Sequence, residues 1–149
     1  MPLRQLIADL ATASVREGPF EQPPFAAKMG FRYRATDEGV MLILPFKPEI
    51  IGAPGRLHGG SIAALLEFSG LVAVVDEATR AYGMPGSLPR PINVTVEYLR
   101  EGQPGVETFA IAKVTRLGRR VANVRAEAWQ SARDRLIATA DMNMVMDDD

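Results

Sequence analysis

The chain has 149 residues, with 17 Lys and Arg against 18 Asp and Glu, a formal net charge of −1 and 47% hydrophobic residues. A single domain of this size buries roughly two-thirds of the surface its unfolded chain exposes and needs no staple. The lack of cysteine excludes disulfides, thiolate metal sites and a catalytic thiol, one histidine excludes a multi-His metal centre within one chain, and the charge balance gives no whole-molecule attraction to nucleic acid or anionic lipid.

The first stretch, MPLRQLIADLATASVREG, places Leu3, Leu6, Ile7 and Leu10 at helical spacing and predicts a short amphipathic helix. Arg4, Asp9, Arg16 and Glu17 interrupt any long apolar run, so it does not read as a secretion signal, and the expected location is the cytoplasm. In EGPFEQPPF, Gly18 and three prolines predict a loop, so residues 1–25 are expected to be helix and loop. GFRYRAT alternates Phe31, Tyr33 and Ala35 with Arg32 and Arg34, and after the turn signal DEG comes VMLILPF, a pattern that predicts a hairpin.

A Gly/Pro-rich connection, KPEIIGAPGRLHGG, leads into a long apolar helix expected at about 58–81, which YGMPGSLPRP ends. Between His58 and Asp76 its one charged side chain is Glu67, and Gly59, Gly60, Ser61, Ser69 and Gly70 make it a better buried helix than a membrane span. Everything after reads as strand: INVTVEYL, then VETFAIAKVTR, then VANVRAEAWQ with Ala122, Val124, Ala126 and Ala128 on one face and Trp129 on the other. LIATADMNMVM puts Ala138, Ala140, Met142, Met144 and Met146 on one face, and residues 147–149 form an acidic, solvated tail. The order predicts one α+β domain, a curved antiparallel sheet wrapped around one long central helix and covering it on nearly every face.

Several residues carry chemistry. Burial of Glu67 among Leu66, Phe68 and Leu71 would disfavour its charged form, which suits a general base; the structural alternative is an ion pair with an arginine of another strand or subunit. Its neighbours at helical spacing, Gly60, Ala63, Ala64, Gly70, Leu71 and Val74, are mostly small, so a ligand, a packed backbone or a second subunit approaches on that side. The glycines of HGG expose free backbone N–H groups at the positive end of a helix dipole, where an oxyanion is stabilised, or else simply make a tight turn. His58 either caps this turn or takes part directly. Arg116, Arg119 and Arg120 around Gly118 are suited to phosphate groups or to a solvated hairpin turn.

A helix begun by GRLHGG, an acidic residue nine positions after the His, and a later VEYLR strand followed by RLGRR resemble the hotdog-fold acyl-CoA thioesterases of the PaaI-like group, over about residues 27–146. The resemblance implies a hotdog fold and hydrolysis of acyl-CoA thioesters, with the Gly59 N–H polarising the carbonyl and Glu67 as general base or nucleophile. It also implies His58 at the catalytic turn, and Gly60, Ala63, Ala64, Arg119 and Arg120 as substrate contacts. No metal and no cofactor is implied beyond the coenzyme A of the substrate itself. Dimers pairing into tetramers, with sites shared between subunits, are implied too. Six residues before the His, where the family commonly carries Asn or Gln, this chain has Gly52. Two other readings stay open: a hotdog dehydratase or hydratase, which also uses a His and a helix carboxylate, and an acyl-CoA-binding module without turnover.

Overall fold

The computed structural model describes residues 2–11, 16–83 and 85–146, so the expected acidic tail at 147–149 lies outside the described residues. The elements are α1 (Leu3–Ala11), β1 (Glu17–Pro19), α2 (Pro24–Met29), β2 (Arg32–Thr36), β3 (Gly39–Leu44), a 3-10 turn (Pro48–Ile50), α3 (Gly59–Tyr82), β4 (Arg90–Tyr98), β5 (Thr108–Leu117), β6 (Val121–Trp129) and β7 (Leu136–Val145). All strands join one antiparallel sheet in the order β1-β2-β3-β5-β6-β7-β4, which leaves β1 and β4 as its edges.

Small residues let α3 lie close against this sheet. Ala110, Ala128 and Ala138 are cross-strand neighbours on β5, β6 and β7, and Ala112, Ala126 and Ala140 form the next row. Further along the helix Gly70 does the same from the other side: a Cβ there would come within 2.6 Å of Met142 Cε. The faces predicted by alternation hold, with Phe31 and Tyr33 of the first hairpin and Ala122, Val124, Met142 and Met144 of the last strands buried in one core. Leu3, Leu6, Ile7 and Leu10 of α1 join the same core against α3.

Three expectations need correction. The segment read as pure loop contains β1 and the start of α2, both elements too short to show a period; Pro24 opens α2 from its first turn, where a missing N–H costs nothing. Trp129, placed with the polar Asn123, Arg125 and Glu127 on the face opposite the alanines, is nonetheless only 8% exposed, covered by Phe109 and by the Arg133 guanidinium 4.6 Å from its ring centroid. Finally, the sheet and α1 do not cover α3 on nearly every face. Gly60 and Glu67 are exposed and Ala63, Ala64 and Leu71 half-buried, forming an open stripe along the helix.

Candidate active site

The start of α3 is held by a tight loop. His58 N–H donates to the Ile50 carbonyl at 2.7 Å, Leu57 N–H to the Gly102 carbonyl at 2.9 Å, and Gly52 N–H to the Arg56 carbonyl at 3.1 Å. Gly52 packs so closely that a Cβ on it would stand 2.9 Å from His58 Cα, which is backbone and cannot step aside cheaply. This explains why the position six residues before the histidine carries no side chain here.

His58 is the N-cap of α3, with extended backbone. Its Nδ1 accepts the Gly60 N–H at 2.9 Å, and its carbonyl accepts from Ser61 N–H at 3.0 Å and Ile62 N–H at 3.4 Å. A helix begins with four N–H groups that have no partner inside it. Three of the four are therefore engaged, and among the described residues the Gly59 N–H donates to none. An accepting Nδ1 also places the proton of the neutral ring on Nε2.

Tyr98, the last residue of β4, reaches the same turn. Its hydroxyl donates to the Gly59 carbonyl at 2.8 Å, and a Cβ on Gly59 would lie 3.3 Å from the ring. Gly59, Tyr98, Ile62, Arg56 and Arg100 line a cavity of about 450 Å³, with Arg56 paired to Glu101 at 3.1 Å on its rim. A groove of about 630 Å³ continues past Arg100 and Glu101 to Gln130 and Arg135. Tyr98 and Arg100 were missed as site residues because the alternation of VEYLR signals only a strand. Nothing in that pattern says that the strand ends beside the helix N-terminus.

Glu67 stands two turns further along α3, on its open stripe with Gly60, Ala63 and Ala64. The expected burial is not found in the single chain: Glu67 is exposed and has no hydrogen-bond or ion-pair partner among the described residues. The physical reason is the edge of the sheet, which stops at β4 and leaves that side of the helix without a cover. Arg119 and Arg120 sit in the β5–β6 turn, next to the Val121 end of β6 that pairs with Val145, whereas Tyr98 pairs with Ala138. Seven residues of strand, about 23 Å, separate those two ends, so one chain does not bring these arginines to Gly59.

A carboxyl group with a shifted pKa lies elsewhere. A hydrogen bond from Arg133 holds the Glu38 carboxyl below its ordinary range, and Arg133 also reaches Glu127 at 3.0 Å. These groups line a cavity of about 520 Å³ beside β3 and β5, which contains none of the predicted site residues.

Residues 48–143 match the model of the acyl-CoA thioesterase N-terminal domain. No curated protein matches the chain. Among solved structures, the PaaI protein of the E. coli phenylacetic acid degradation operon superposes with a TM-score of 0.75, covering 99% of this chain and 97% of that one at 18% identity. A Chromobacterium violaceum protein does so with a TM-score of 0.68, covering 97% and 98% at 26% identity. A Bacillus halodurans protein solved with CoA gives a TM-score of 0.60 over 70% of this chain and 68% of that one, at 19% identity. The shared architecture is the hotdog fold, one long helix against a curved antiparallel sheet.

Proposed function

Because the chain belongs to the acyl-CoA thioesterase N-terminal domain family, we propose that it hydrolyses acyl-CoA thioesters to a carboxylic acid and coenzyme A, with Gly59 and Glu67 at the reacting centre. The observation that carries this reading is the first turn of α3, where, among the described residues, the Gly59 backbone N–H has no acceptor, beside a cavity that the same residue lines. A fixed N–H at the positive end of a 24-residue helix stabilises the oxyanion that forms when a thioester carbonyl is attacked. In this reading water attacks the carbonyl carbon and Glu67 takes the proton that water gives up. The tetrahedral intermediate then collapses, its C–S bond breaks, and coenzyme A leaves as a thiolate that takes up a proton.

The site is composite in this proposal. The open surfaces beside Gly59 and Glu67 are the α3 stripe and the β4 edge, whose Ile92 and Tyr98, with the adjoining Leu99, are 58%, 54% and 50% exposed in the single chain. A second copy laid antiparallel along β4 covers both. It also carries the Arg90 end of one strand to the Tyr98 end of the other, and with it Arg119 and Arg120 toward the partner's cavity, where phosphates of coenzyme A are held by charge-assisted contacts. Two such dimers then pair into a tetramer. The CoA-bound Bacillus halodurans neighbour supports the ligand class.

Incubation with a panel of acyl-CoAs and a free-thiol readout tests the reaction. Thiol release is expected with at least one member. Hydration of an enoyl-CoA without thiol release would move the assignment to the dehydratase class, and tight binding with neither would leave a binding module.

A further inference from the structure

Two hydrogen bonds around the first turn of α3 are linked through a single peptide unit. Tyr98 Oη–H donates to the Gly59 carbonyl at 2.8 Å, that carbonyl belongs to the Gly59–Gly60 peptide, and the N–H of the same peptide donates to His58 Nδ1 at 2.9 Å. We propose that Tyr98 is a positioning residue which, through this peptide, fixes the Gly59 turn and sets His58 as a ring that presents only an N–H from its Nε2.

The physics runs in one direction along the chain of groups. A peptide whose carbonyl accepts a hydrogen bond becomes a stronger donor at its N–H, so the bond to Nδ1 tightens. Nδ1 then stays an acceptor, and the proton of the neutral ring sits on Nε2. In this state His58 donates at its free nitrogen and has no lone pair there with which to take a proton, so it supports an oxyanion or a leaving group and leaves the base to Glu67. Geometry adds a second constraint. The Tyr98 ring packs against Gly59 at the distance where a Cβ would touch it, so the turn is held from the strand side by both hydroxyl and ring.

The strand end that carries Tyr98 is itself anchored: Leu99 N–H and Arg100 N–H both donate to the Ile137 carbonyl, at 2.8 and 3.1 Å, and the Arg100 guanidinium donates to the Leu136 carbonyl at 2.6 Å. Among the described residues the Tyr98 hydroxyl makes one hydrogen bond, to the Gly59 carbonyl, and Tyr98→Phe keeps the ring and its packing, so loss of the hydroxyl alone moves stability little. Rate and stability therefore separate the two roles, positioning and plain structural support.

The kinetic half of this inference rests on the thioesterase reading; the structural half does not. The experiment compares wild type with Tyr98→Phe, which keeps the ring, and Tyr98→Leu, which does not. The chain has one histidine, so a long-range 15N–1H spectrum of the imidazole needs no assignment. In the wild type, near neutral pH, the neutral ring is expected to show an unprotonated Nδ1 and a protonated Nε2. Tyr98→Phe is expected to move the Gly60 amide proton upfield, raise the Nδ1–H tautomer, and lower kcat roughly tenfold with KM and melting temperature nearly unchanged, a smaller loss than the ~10²–10³-fold of deleting an oxyanion donor outright. Unchanged spectra in Tyr98→Phe would overturn the relay, as would a wild-type Nδ1 that carries the proton, a result readable even if the variant failed to fold. A kcat loss seen with Leu and absent with Phe would overturn the role of the hydroxyl. A wild type that released thiol from no acyl-CoA would sink the proposed reaction, while the spectra would still decide the relay.

Discussion

Gly59 and Glu67 lie eight residues apart on α3, about 12 Å along its axis, the first at the capped N-terminus and the second on the open stripe. An oxyanion donor and a base that serve one carbonyl must both stand about 3 Å from the reacting groups, so one helix does not supply both to one thioester. Complementation checks the consequence. Gly59→Pro deletes the N–H at the first helical position, where proline is tolerated, and Glu67→Ala deletes the carboxylate. Each parent is expected to be folded and inactive. Mixed dimers should recover roughly half the wild-type activity, one intact site in two. Confirmed mixed dimers with no recovery would remove the shared site.

Exposure of Glu67 sets what its isosteric substitution does. Glu67→Gln breaks no hydrogen bond or ion pair among the described residues, so its thermal stability should stay within about 0.5 kcal/mol of wild type. Its thioester hydrolysis should fall at least about a hundredfold, because the amide neither accepts the water proton nor attacks. Activity within tenfold of wild type on the best substrate would assign the base elsewhere.

Two glycines give opposite expectations from similar crowding. At Gly52 the atom in the way is His58 Cα at 2.9 Å, with His58 N at 3.3 Å behind it. Gly52→Ala should therefore cost about 1–3 kcal/mol and, in the proposed reaction, lower kcat, since the displaced backbone is the N-cap of the helix that carries the candidate site. Gly52→Asn, which restores the side chain common in the family, should be no better. At Gly70 the crowding atoms are the Cε and Sδ of Met142 and the Cε of Met144, the mobile ends of flexible side chains. Repacking there is offset by the gain of about 1 kcal/mol in helix propensity, so Gly70→Ala should be close to neutral. Urea melts of the two alanine variants, run side by side, make the comparison.

Acid stability should depend on Glu38. Its carboxyl titrates below the ordinary 4.5 in the folded chain, first because Arg133 donates a hydrogen bond to it. Between that ordinary value and the lower folded one, the unfolded chain binds a proton that the native chain does not. The stabilisation is thus complete above about 4.5 and fades as the pH falls through the folded value. Urea melts at about pH 6 and about pH 3 should show a shallower loss of stability in Glu38→Gln than in wild type. An identical loss in both would mean that the Arg133 contact does not hold in solution.

The order of the longer elements (α1, β2, β3, α3 and β4 to β7), the buried faces of β2, β6 and β7, the α1 core stripe and the limits of α3 to within a residue were legible from period and punctuation alone. Alternation and helical spacing report which side of a segment faces a core, and that is a local property. The HGG–Glu spacing likewise marked the helix that carries the candidate site. β1 and α2 were not legible, since three and six residues span too little of any period, and prolines that signal a break also fit a first helical turn. The surroundings of the site were decided by tertiary structure. Whether Glu67 is buried depends on where the sheet ends, and whether Tyr98 touches Gly59 depends on two segments 39 residues apart meeting in space. The reason Gly52 carries no side chain lies in its distance to His58 Cα. Such contacts arise from packing between elements, and no pattern within either segment encodes them.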